Sequence, residues 1–386
     1  MNEAVVVTAL RSPIGRAHPE KGCFRGIRSD DLAVQVIREL VRQSGVDPGQ
    51  IEELILGCAT QTGEQAMNVA RYVALMAGLP YEVGAQTINR QCASSMTALH
   101  SAAQAIRGGY GEAFIAGGLE SMTHLPEGTG ADLNPRRFDF AHPSAASMGL
   151  TAENLAQRYG ISREEQEAFA LRSHGRAVMA QREGKFTAEI VPIRLPDKNG
   201  SSEVVDRDQN PRPETSLEIM AALPALTYEG GTVTVATASP TGDGAAALLV
   251  LWQEKAQELG LRPLARVVSM AVAGVDPQLM GLGAVSAARK ALKRAGLRPE
   301  DMDLVEINEA FAAVALACIR DLGLDPERVN PNGGALALGH PMGASGARLA
   351  VTLLHEMERC GARYGLATMC VGMGQGVATI FEREGS

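Results

Sequence analysis

The sequence lacks the cysteine patterns of disulfide frameworks and zinc modules. Its six cysteines, among 386 residues, form no CxxC pair and have no histidine nearby at zinc-ligand spacing. It also lacks any apolar run close to the roughly 20 residues that a membrane-spanning helix needs. These absences exclude a membrane span and favour a reducing compartment with one or two reactive thiols.

Excess positive charge is absent as well. The formal net charge is −8, which argues against polyanion binding, including nucleic-acid binding, as the main activity. No basic segment with a cleavable apolar stretch opens the chain, so a secretory signal is not predicted and a cytoplasmic location is expected. The composition, 45% hydrophobic and 21% charged, is typical of a soluble globular protein whose length predicts two or three linked units.

The clearest pattern that is present is an internal repeat. Residues 33–57 and 284–308 each predict an amphipathic helix, a glycine stop, a proline-containing turn and an apolar strand. The spacing along the chain between Gly45 and Gly296 equals the spacing between the two prolines that follow them. A duplicated unit of this kind indicates two equivalent halves.

The order of predicted elements gives a fold class and a division into domains. Strands alternate with helices in each half, which predicts an α/β fold with a mostly parallel sheet and two duplicated mixed α/β halves packed as layers. The intervening segment is rich in Pro, Gly and Asn and predicts an inserted loop domain, with an ordinary third domain as the alternative. The predicted division is 1–120 with 241–262 for the N-terminal half, 121–240 for the insertion and 263–386 for the C-terminal half.

Cys92 lies in the segment INRQCASS, between a strand predicted to end near Ile88 and a helix predicted from Ala93 to about Ile106. It therefore falls at a strand-to-helix turn, where unpaired N–H groups and the positive end of the helix dipole favour thiolate. A backbone amide of the same turn can also bind a developing oxyanion. The alternative is a structural cysteine in the core.

His340 lies in the glycine-rich segment NPNGGALALGHPMGASGAR, ahead of a helix predicted from about Ala347 to Met357. A histidine on such a loop can act as a general base near neutral pH, and glycines let backbone and substrate approach closely. One alternative is a histidine in a surface loop. A phosphate-binding loop is another, although the segment lacks the GKS or GKT ending of a P-loop.

Cys370 begins the segment CVGMGQG, between strands predicted at 366–369 and 377–381. A strand follows these glycines where a dinucleotide fingerprint needs a helix, so that fingerprint is excluded and a hairpin is predicted. Cys370 then lies at the mouth of the hairpin, and Gly372 offers an accessible N–H. The alternative is a hairpin with a bystander thiol.

Asn308, in EINEAFAAV, either caps the following helix or holds a water or a carbonyl at the end of a strand. The neighbouring Glu309 is assigned no chemistry. Cys92, His340, Cys370 and Asn308 all fall at or near the carboxyl ends of predicted strands, where open α/β sheets place their sites. We therefore expect paired halves to bring the four side chains together.

Four segments, NRQCASS, NEAFA, GGALALGHPMGASGAR and CVGMGQG, resemble in order the active-site blocks of the thiolase family. The resemblance runs along essentially the whole chain, from the opening VVVTALRSPIGR to the last strand. Three further segments, MGLTAENLAQRYGISREEQEAFALRSH, RPETS and SMAVAGVDPQLMGLG, are similar to the bacterial degradative 3-ketoacyl-CoA thiolases (acetyl-CoA acyltransferases) of fatty acid β-oxidation. The resemblance implies a thiolase fold and covalent acyl transfer.

The resemblance also implies a role for each candidate residue. Cys92 attacks the 3-keto carbon and becomes acylated, while His340 accepts its proton and helps to bind the thioester oxygen. Asn308 positions a water in that first oxyanion hole. The N–H groups of Cys92 and Gly372 form a second oxyanion hole, and Cys370 moves the proton to and from the α-carbon of acetyl-CoA.

The same resemblance places Ser239 near the pantetheine of coenzyme A, Arg212 near the adenine end and Met148 in a loop lining the pocket. A solvated charge at Arg212 and a core residue at Met148 are the alternatives. Coenzyme A and 3-ketoacyl-CoA are the implied substrates, with no metal or redox cofactor. The implied assembly is a homodimer or homotetramer, with a possible complex with a hydratase/3-hydroxyacyl-CoA dehydrogenase subunit.

The chain departs from the family's pattern around the coenzyme A loop. Ala236 stands where a glycine is common, Gly242 stands where Asn or Ser is common, and an arginine usual near Leu223 and Pro224 is absent. The four catalytic blocks are intact.

Four rival functions share the fold or the residue types. A biosynthetic acetoacetyl-CoA thiolase has the same catalytic blocks, whereas a decarboxylating ketoacyl synthase has a second histidine where Asn308 stands. A catalytically silent thiolase-like protein, acting as a lipid-binding or scaffold subunit, should have lost a catalytic position. A papain-like Cys/His protease is disfavoured by the flanking sequence and the doubled α/β pattern.

Overall fold

A computed structural model describes residues 2–139, 141–196 and 203–383. The strands are β1 (Ala4–Arg11), β2 (Gly15–Arg16), β3 (Glu53–Gly57), β4 (Gly84–Ile88), β5 (Ala113–Ser121), β6 (Ile193–Arg194), β7 (Val204–Val205), β8 (Gly242–Trp252), β9 (Ala265–Gly274), β10 (Leu304–Ile307), β11 (Tyr364–Val371) and β12 (Gln375–Glu382). The helices are α1 (Ser29–Ser44), α2 (Val69–Ala77), α3 (Ser94–Gly108), α4 (Met148–Tyr159), α5 (Arg163–Arg182), α6 (Leu217–Ala221), α7 (Gln253–Glu258), α8 (Leu282–Ala295), α9 (Ala312–Leu322), α10 (Ala335–Leu338) and α11 (Met342–Cys360).

The internal repeat is confirmed in detail. Helices α1 and α8 end at Gly45 and Gly296, whose φ angles of 67° and 68° lie in the left-handed region that favours glycine. A short 3₁₀ turn opened by Pro48 or Pro299 follows each helix and leads into β3 or β10. The same local sequence signals therefore produce the same local structure twice.

One large sheet joins the two halves, in the strand order β10-β11-β12-β9-β1-β8-β5-β3-β4, with β2 beside β8. The order β3-β5-β8-β1 in the first half matches β10-β11-β12-β9 in the second. Matching strand pairs also have the same directions: β3–β5 and β10–β11 are parallel, and β5–β8 and β11–β12 are antiparallel. The halves meet where β1 pairs antiparallel with β9.

The prediction of a mostly parallel sheet is wrong, because parallel pairing is confined to the two ends of the sheet. Strands β1, β8, β9 and β12, at its centre, pair antiparallel. Helix-and-strand alternation predicts parallel crossovers, but β11 and β12 are joined by a tight hairpin.

The three largest apolar cores formed by the described residues give the fold its layers. A central core surrounds α3 and α11 and includes residues from the strands of both halves. One outer core packs α1 and α2 on the N-terminal half, and another packs α8 and α9 on the C-terminal half. Helices α3 and α11 therefore lie between the two halves, which brings the turn before each helix into the centre of the molecule.

Helix α11 begins at Met342, earlier than the predicted start near Ala347. Its first turn contains Gly343, at which a Cβ would lie 2.4 Å from the Leu119 carbonyl oxygen. At Gly346, a Cβ would lie 2.6 Å from the backbone nitrogen of Met96. The glycines that suggested a loop serve close packing of a buried helix instead.

The segment predicted as an insertion contains α4, α5, α6 and the short strand pair β6–β7. A buried guanidinium fastens it to β1, because Arg11 bonds to Glu189 at 2.6 Å and to Asp208 at 2.7 Å. The three-part domain division itself remains a prediction. Within the described ranges, no helix is both long and apolar enough to cross a membrane.

Candidate active site

The turn between β4 and α3 presents Cys92 at the start of α3, as predicted. Gln91 takes a φ of 46°, in the left-handed region, and so turns the chain sharply before the cysteine. The hydroxyl of Ser94 accepts the Arg90 N–H at 2.9 Å and donates to the Gln91 carbonyl at 2.6 Å. These bonds hold the turn in its strained form.

The Cys92 sulfur lies beside the C-terminal hairpin. The backbone N–H of Gly372 donates a hydrogen bond to it, and the Cys370 thiol is near enough to disfavour a second negative charge. Although solvent reaches part of Cys92, burial dominates and raises the pKa of its thiol, while the N–H groups of Gly372 and of Cys92 itself oppose that shift. The prediction that the turn favours thiolate is therefore wrong for the resting protein, which holds a thiol.

The predicted hairpin is confirmed, and it places Cys370 opposite Gly376 near the end of β11. Met373 and Gly374, with φ angles of 60° and 79°, make the turn. Burial, and next the neighbouring Cys318, raise the pKa of Cys370 to about 12, so this residue is also a thiol. Its position beside Cys92 argues against a bystander.

His340 is buried, so the alternative of a surface loop is wrong. Its backbone N–H donates to the Pro240 carbonyl at 2.9 Å. Its Nδ1 lies 2.6 Å from the hydroxyl oxygen of Ser345, which donates its own hydrogen to the Pro341 carbonyl at 2.8 Å. The hydroxyl must therefore accept from Nδ1–H, which leaves a lone pair on Nε2.

Asn308 is not the N-cap of the next helix, since α9 begins at Ala312 with Phe311 at its cap. Its backbone N–H donates to the Thr368 carbonyl at 3.0 Å, which ties the end of β10 to β11. Its side-chain nitrogen lies 3.3 Å from His340 Nε2. Its buried Oδ1 has no hydrogen-bond partner among the described residues, so an acceptor is free for a water or a substrate group.

The titration of these groups limits the chemistry of the resting site. Burial, and next the charge of Arg348, lower the pKa of His340 to about 4, so its imidazole is uncharged at neutral pH. Proton transfer from Cys92 to His340 is therefore unfavourable before substrate binds, because the thiol has a raised pKa and the ring is only weakly basic. Deprotonation must accompany attack on an electrophile.

Of the three residues expected near coenzyme A, only Ser239 is tied to this site. It precedes Pro240, whose carbonyl accepts the His340 N–H. Met148 opens α4 and packs partly buried against the C-terminal outer core, which agrees with the core-residue alternative. The side chain of Arg212 is exposed, which agrees with the alternative of a solvated charge.

Two of the three departures from the family's pattern have local structural counterparts. A Cβ at Gly242 would lie 3.3 Å from the Pro341 ring and 3.0 Å from Ile14, so the glycine suits close packing beside His340. Where the usual arginine is absent, the Arg163 guanidinium donates to the carbonyls of Met220, Ala221 and Leu223 at 2.7–3.2 Å. For Ala236, nothing in the structure explains the change.

Sequence reasoning missed two residues that support the site. Ser345 orients His340, and the buried Glu120 accepts N–H groups from Ala59, Thr60 and Gly343 at 2.8–3.1 Å. Glu120 thereby fixes the start of α11, just after His340. The available signal was a single carboxylate in the otherwise apolar and small-residue segment that forms β5, because a charged side chain is rarely buried unless it has a partner.

Glu309, which was assigned no chemistry, is buried and bonded to other residues. It accepts from the Ser173 hydroxyl and from the Asn330 side chain, both at 2.7 Å. Among the described residues, no group of three or more His, Cys, Asp and Glu side chains could hold a metal ion.

Comparison with protein families gives two matches that together cover nearly the whole chain. The family described as "Thiolase, N-terminal domain" matches residues 4–254, and "Thiolase, C-terminal domain" matches residues 261–383.

Comparison with individual proteins gives similar results. The chain is 48% identical to a 3-ketoacyl-CoA thiolase of Marinobacter nauticus, over 99% of this chain and 98% of that protein. It is 50% identical to a 3-ketoacyl-CoA thiolase of Aliivibrio fischeri, over 99% and 100%. Among solved structures, the acetyl-CoA acetyltransferase of Bacillus anthracis is similar, with a TM-score of 0.91, 42% identity and 99% of each chain covered. That of Syntrophomonas wolfei has the same TM-score, 38% identity and full coverage of both chains.

Proposed function

The chain belongs to the thiolase family and is an acyltransferase, and from that premise we propose that it cleaves 3-ketoacyl-CoA with coenzyme A. The products are acetyl-CoA and a shortened acyl-CoA. The observation that carries the proposal is the Cys92 sulfur beside the Gly372 amide and the Cys370 thiol. Relatives named 3-ketoacyl-CoA thiolase, at 48% and 50% identity, support the degradative direction.

In the first half-reaction, the Cys92 sulfur attacks the 3-keto carbon and its proton passes to His340 Nε2. The N–H groups of Cys92 and Gly372 stabilise the oxyanion that forms. Its collapse breaks the bond between C2 and C3, and the electron pair moves into an acetyl-CoA enolate. The imidazolium of His340 and a water on Asn308 bind the enolate oxygen, while Cys370 protonates C2.

In the second half-reaction, coenzyme A returns a proton to the Cys370 thiolate as its sulfur attacks the acyl group on Cys92. The oxyanion again lies at the N–H groups of Cys92 and Gly372. Collapse expels Cys92, which regains its proton from His340. The cycle returns both thiols and the imidazole to their resting forms, and a single sulfur carries the acyl chain between two coenzyme A molecules.

The direct test is mass spectrometry of the protein incubated with a 3-ketoacyl-CoA in the absence of free coenzyme A. We expect an acyl adduct on the peptide containing Cys92, and its loss when coenzyme A is added. Cys360→Ala, a change at an exposed cysteine, is the control and should form the same adduct. An adduct absent from Cys92, or thiolysis that persists in Cys92→Ala, would reject the mechanism.

A biosynthetic acetoacetyl-CoA thiolase is the second candidate, because the two similar solved structures are named acetyl-CoA acetyltransferase. Chain length separates the candidates. Thiolysis of both 3-ketohexadecanoyl-CoA and acetoacetyl-CoA is expected of the degradative enzyme, and activity confined to the four-carbon substrate would favour the biosynthetic one.

We further propose a homodimer, or a tetramer built from it, that forms at the open edge of the sheet. Strand β4 ends the strand order, and exposed apolar side chains lie on α2 and beside it. They are Met67, Tyr72, Leu75, Met76 and Tyr81. An unpaired edge with an apolar border is a surface suited to self-association.

Sedimentation tests the assembly. Tyr81→Glu should weaken it, whereas Met179→Glu, at an exposed methionine on α5, should not. A monomeric unmodified protein would reject the homodimer. The complex with a hydratase/3-hydroxyacyl-CoA dehydrogenase subunit rests on family resemblance alone, and co-sedimentation tests it. The cytoplasmic location stays a prediction.

A further inference from the structure

Behind His340, a stripe of polar side chains follows one face of α11 into the centre of the molecule. The stripe consists of Ser345, Arg348, Thr352 and Glu356, whose spacing of three or four residues puts them on one helix face. All four are buried. Buried polar groups between apolar layers oppose folding unless they are fully bonded, so this stripe requires a reason.

In the middle of the stripe, Arg348 pairs with Glu306 of β10, with Nη1 and Oε2 3.2 Å apart. The two residues are only 2% and 1% exposed. Nε and Nη2 of Arg348 and Oε1 of Glu306 have no hydrogen-bond partner among the described residues. Unpaired buried groups of this kind are rare in folded proteins, so a role beyond stability is expected for the pair.

The pair adjoins the supports of both active-site polar residues. Glu306 and Asn308 lie two positions apart on the chain at the end of β10, and such residues share one face of a strand. Arg348 lies one turn beyond Ser345, which orients His340. A change in the pair is therefore transmitted to the groups proposed to form the first oxyanion hole.

The surrounding charges leave Arg348 only partly neutralised. Burial dominates at Glu306 and raises its pKa to about 8, although Arg348 opposes that shift. Three other carboxylates act on Glu306: those of Glu309, Glu189 and Glu356. Two of these have arginines of their own, Arg11 and Arg359, and burial raises the pKa of the third. Arg348 lies on α11 one turn beyond Ser345, which contacts the His340 ring, so its charge is close to the imidazole. After burial, this charge is the second cause that lowers the pKa of His340.

Building on the proposed function, in which His340 accepts the Cys92 proton, we propose that Arg348 and Glu306 are positioning residues for the reaction. Glu306 holds the guanidinium in place, and its charge adds to the effect of burial in keeping the His340 imidazole uncharged between turnovers. An imidazolium formed beside Arg348 is destabilised, so it readily returns its proton to Cys92. The stripe is thus an electrostatic support for the base.

The test compares Arg348→Gln, which keeps a donor for Glu306 but removes the charge, with Arg348→Lys, which keeps the charge. Two readouts are followed against pH: the rate of Cys92 acylation, and the NMR titration of His340 in protein with labelled histidine. In Arg348→Gln, the midpoint of the acidic limb should rise by on the order of one pH unit, as expected for a nearby unit charge in the interior. Arg348→Lys should leave the midpoint unchanged, and Glu306→Gln should not raise it.

Equal midpoints in Arg348→Gln and Arg348→Lys would overturn the proposal, since a purely structural role depends on packing and not on charge. If Arg348→Gln does not fold, the double variant Arg348→Gln/Glu306→Gln replaces it. Both side chains are then neutral, and the midpoint of the acidic limb should again rise. A shifted His340 titration with no matching shift in acylation would support the positioning role while rejecting His340 as the base of the proposed function.

Discussion

The hydroxyl of Ser345 determines which nitrogen of His340 carries the proton. It donates to the Pro341 carbonyl and must accept from Nδ1–H, so Nε2 faces Asn308 with its lone pair. No feature of the glycine-rich motif alone assigns this tautomer. The Ser345 side chain, which leaves Nε2 of His340 free to act as a base, is five residues away in sequence and is hydrogen-bonded to the ring.

Ser345→Ala should therefore lower kcat for thiolysis by about 10-fold or more, because positioned general bases contribute about 10²–10⁴-fold and this change misorients the base without removing it. Steady-state kinetics with a 3-ketoacyl-CoA measure the effect. Ser101→Ala, at a partly buried serine on α3, is the control and should retain activity. An unchanged kcat in Ser345→Ala would show that the ring is oriented by other contacts.

At Cys92, burial raises the pKa of the thiol, so little thiolate exists at neutral pH. Alkylation of Cys92 by iodoacetamide should be slow near pH 7 and should rise about tenfold per pH unit to beyond about pH 9, because only thiolate reacts. Peptide mass spectrometry follows the rate, with the exposed Cys360 labelling sooner. A plateau below about pH 8 would mean that the resting residue is already a thiolate.

At the scale of elements, the crossing of α3 and α11 decides where both catalytic turns lie. Each helix starts at a turn that carries a candidate catalytic residue, Cys92 before α3 and His340 before α11. Gly346 allows the contact, since a Cβ there would meet the backbone of Met96 at 2.6 Å. The close packing of α3 and α11 therefore affects both the stability of the protein and the positions of the two catalytic turns.

We expect Gly346→Ala to destabilise the protein by about 1–3 kcal/mol, the usual effect of forcing extra volume into a packed core. Urea unfolding followed by circular dichroism measures the change, and activity should fall with it. Gly175→Ala in α5 is the matched control, because open space surrounds that position and alanine favours a helix by about 1 kcal/mol. Equal stability of the two variants would contradict the packing argument.

At the scale of the whole molecule, the Arg11 cluster joins β1 to the segment predicted as an insertion. Its guanidinium is fully buried and contacts both Glu189 and Asp208. Burial opposes the charge of Arg11, but the two carboxylates outweigh burial and raise its pKa. One buried cation thus compensates two buried carboxylates from a distant part of the chain.

Arg11→Met should lower the free energy of unfolding by about 3–5 kcal/mol, because it leaves buried carboxylates without their partner. Thermal or urea unfolding tests this expectation. Arg207→Met, which removes an exposed pair with Asp206, should change stability by less than about 1 kcal/mol. A small effect at Arg11 would indicate that the carboxylates become protonated or hydrated at little cost.

The sequence alone determined the repeated unit, its glycine and proline stops, the C-terminal hairpin and the identity of the candidate residues. These features depend on local rules: the φ angles that glycine permits, the period of apolar residues and the order of motif blocks. Hence Gly45 and Gly296 end equivalent helices, and Cys92 lies where a strand turns into a helix.

Only the tertiary structure decided the antiparallel centre of the sheet, the buried start of α11, the thiol form of Cys92 and the tautomer of His340. Each depends on groups far apart in sequence, and desolvation in particular has no local signature. A helix N-terminus by itself favours thiolate, yet burial of the sulfur between two halves outweighs that effect.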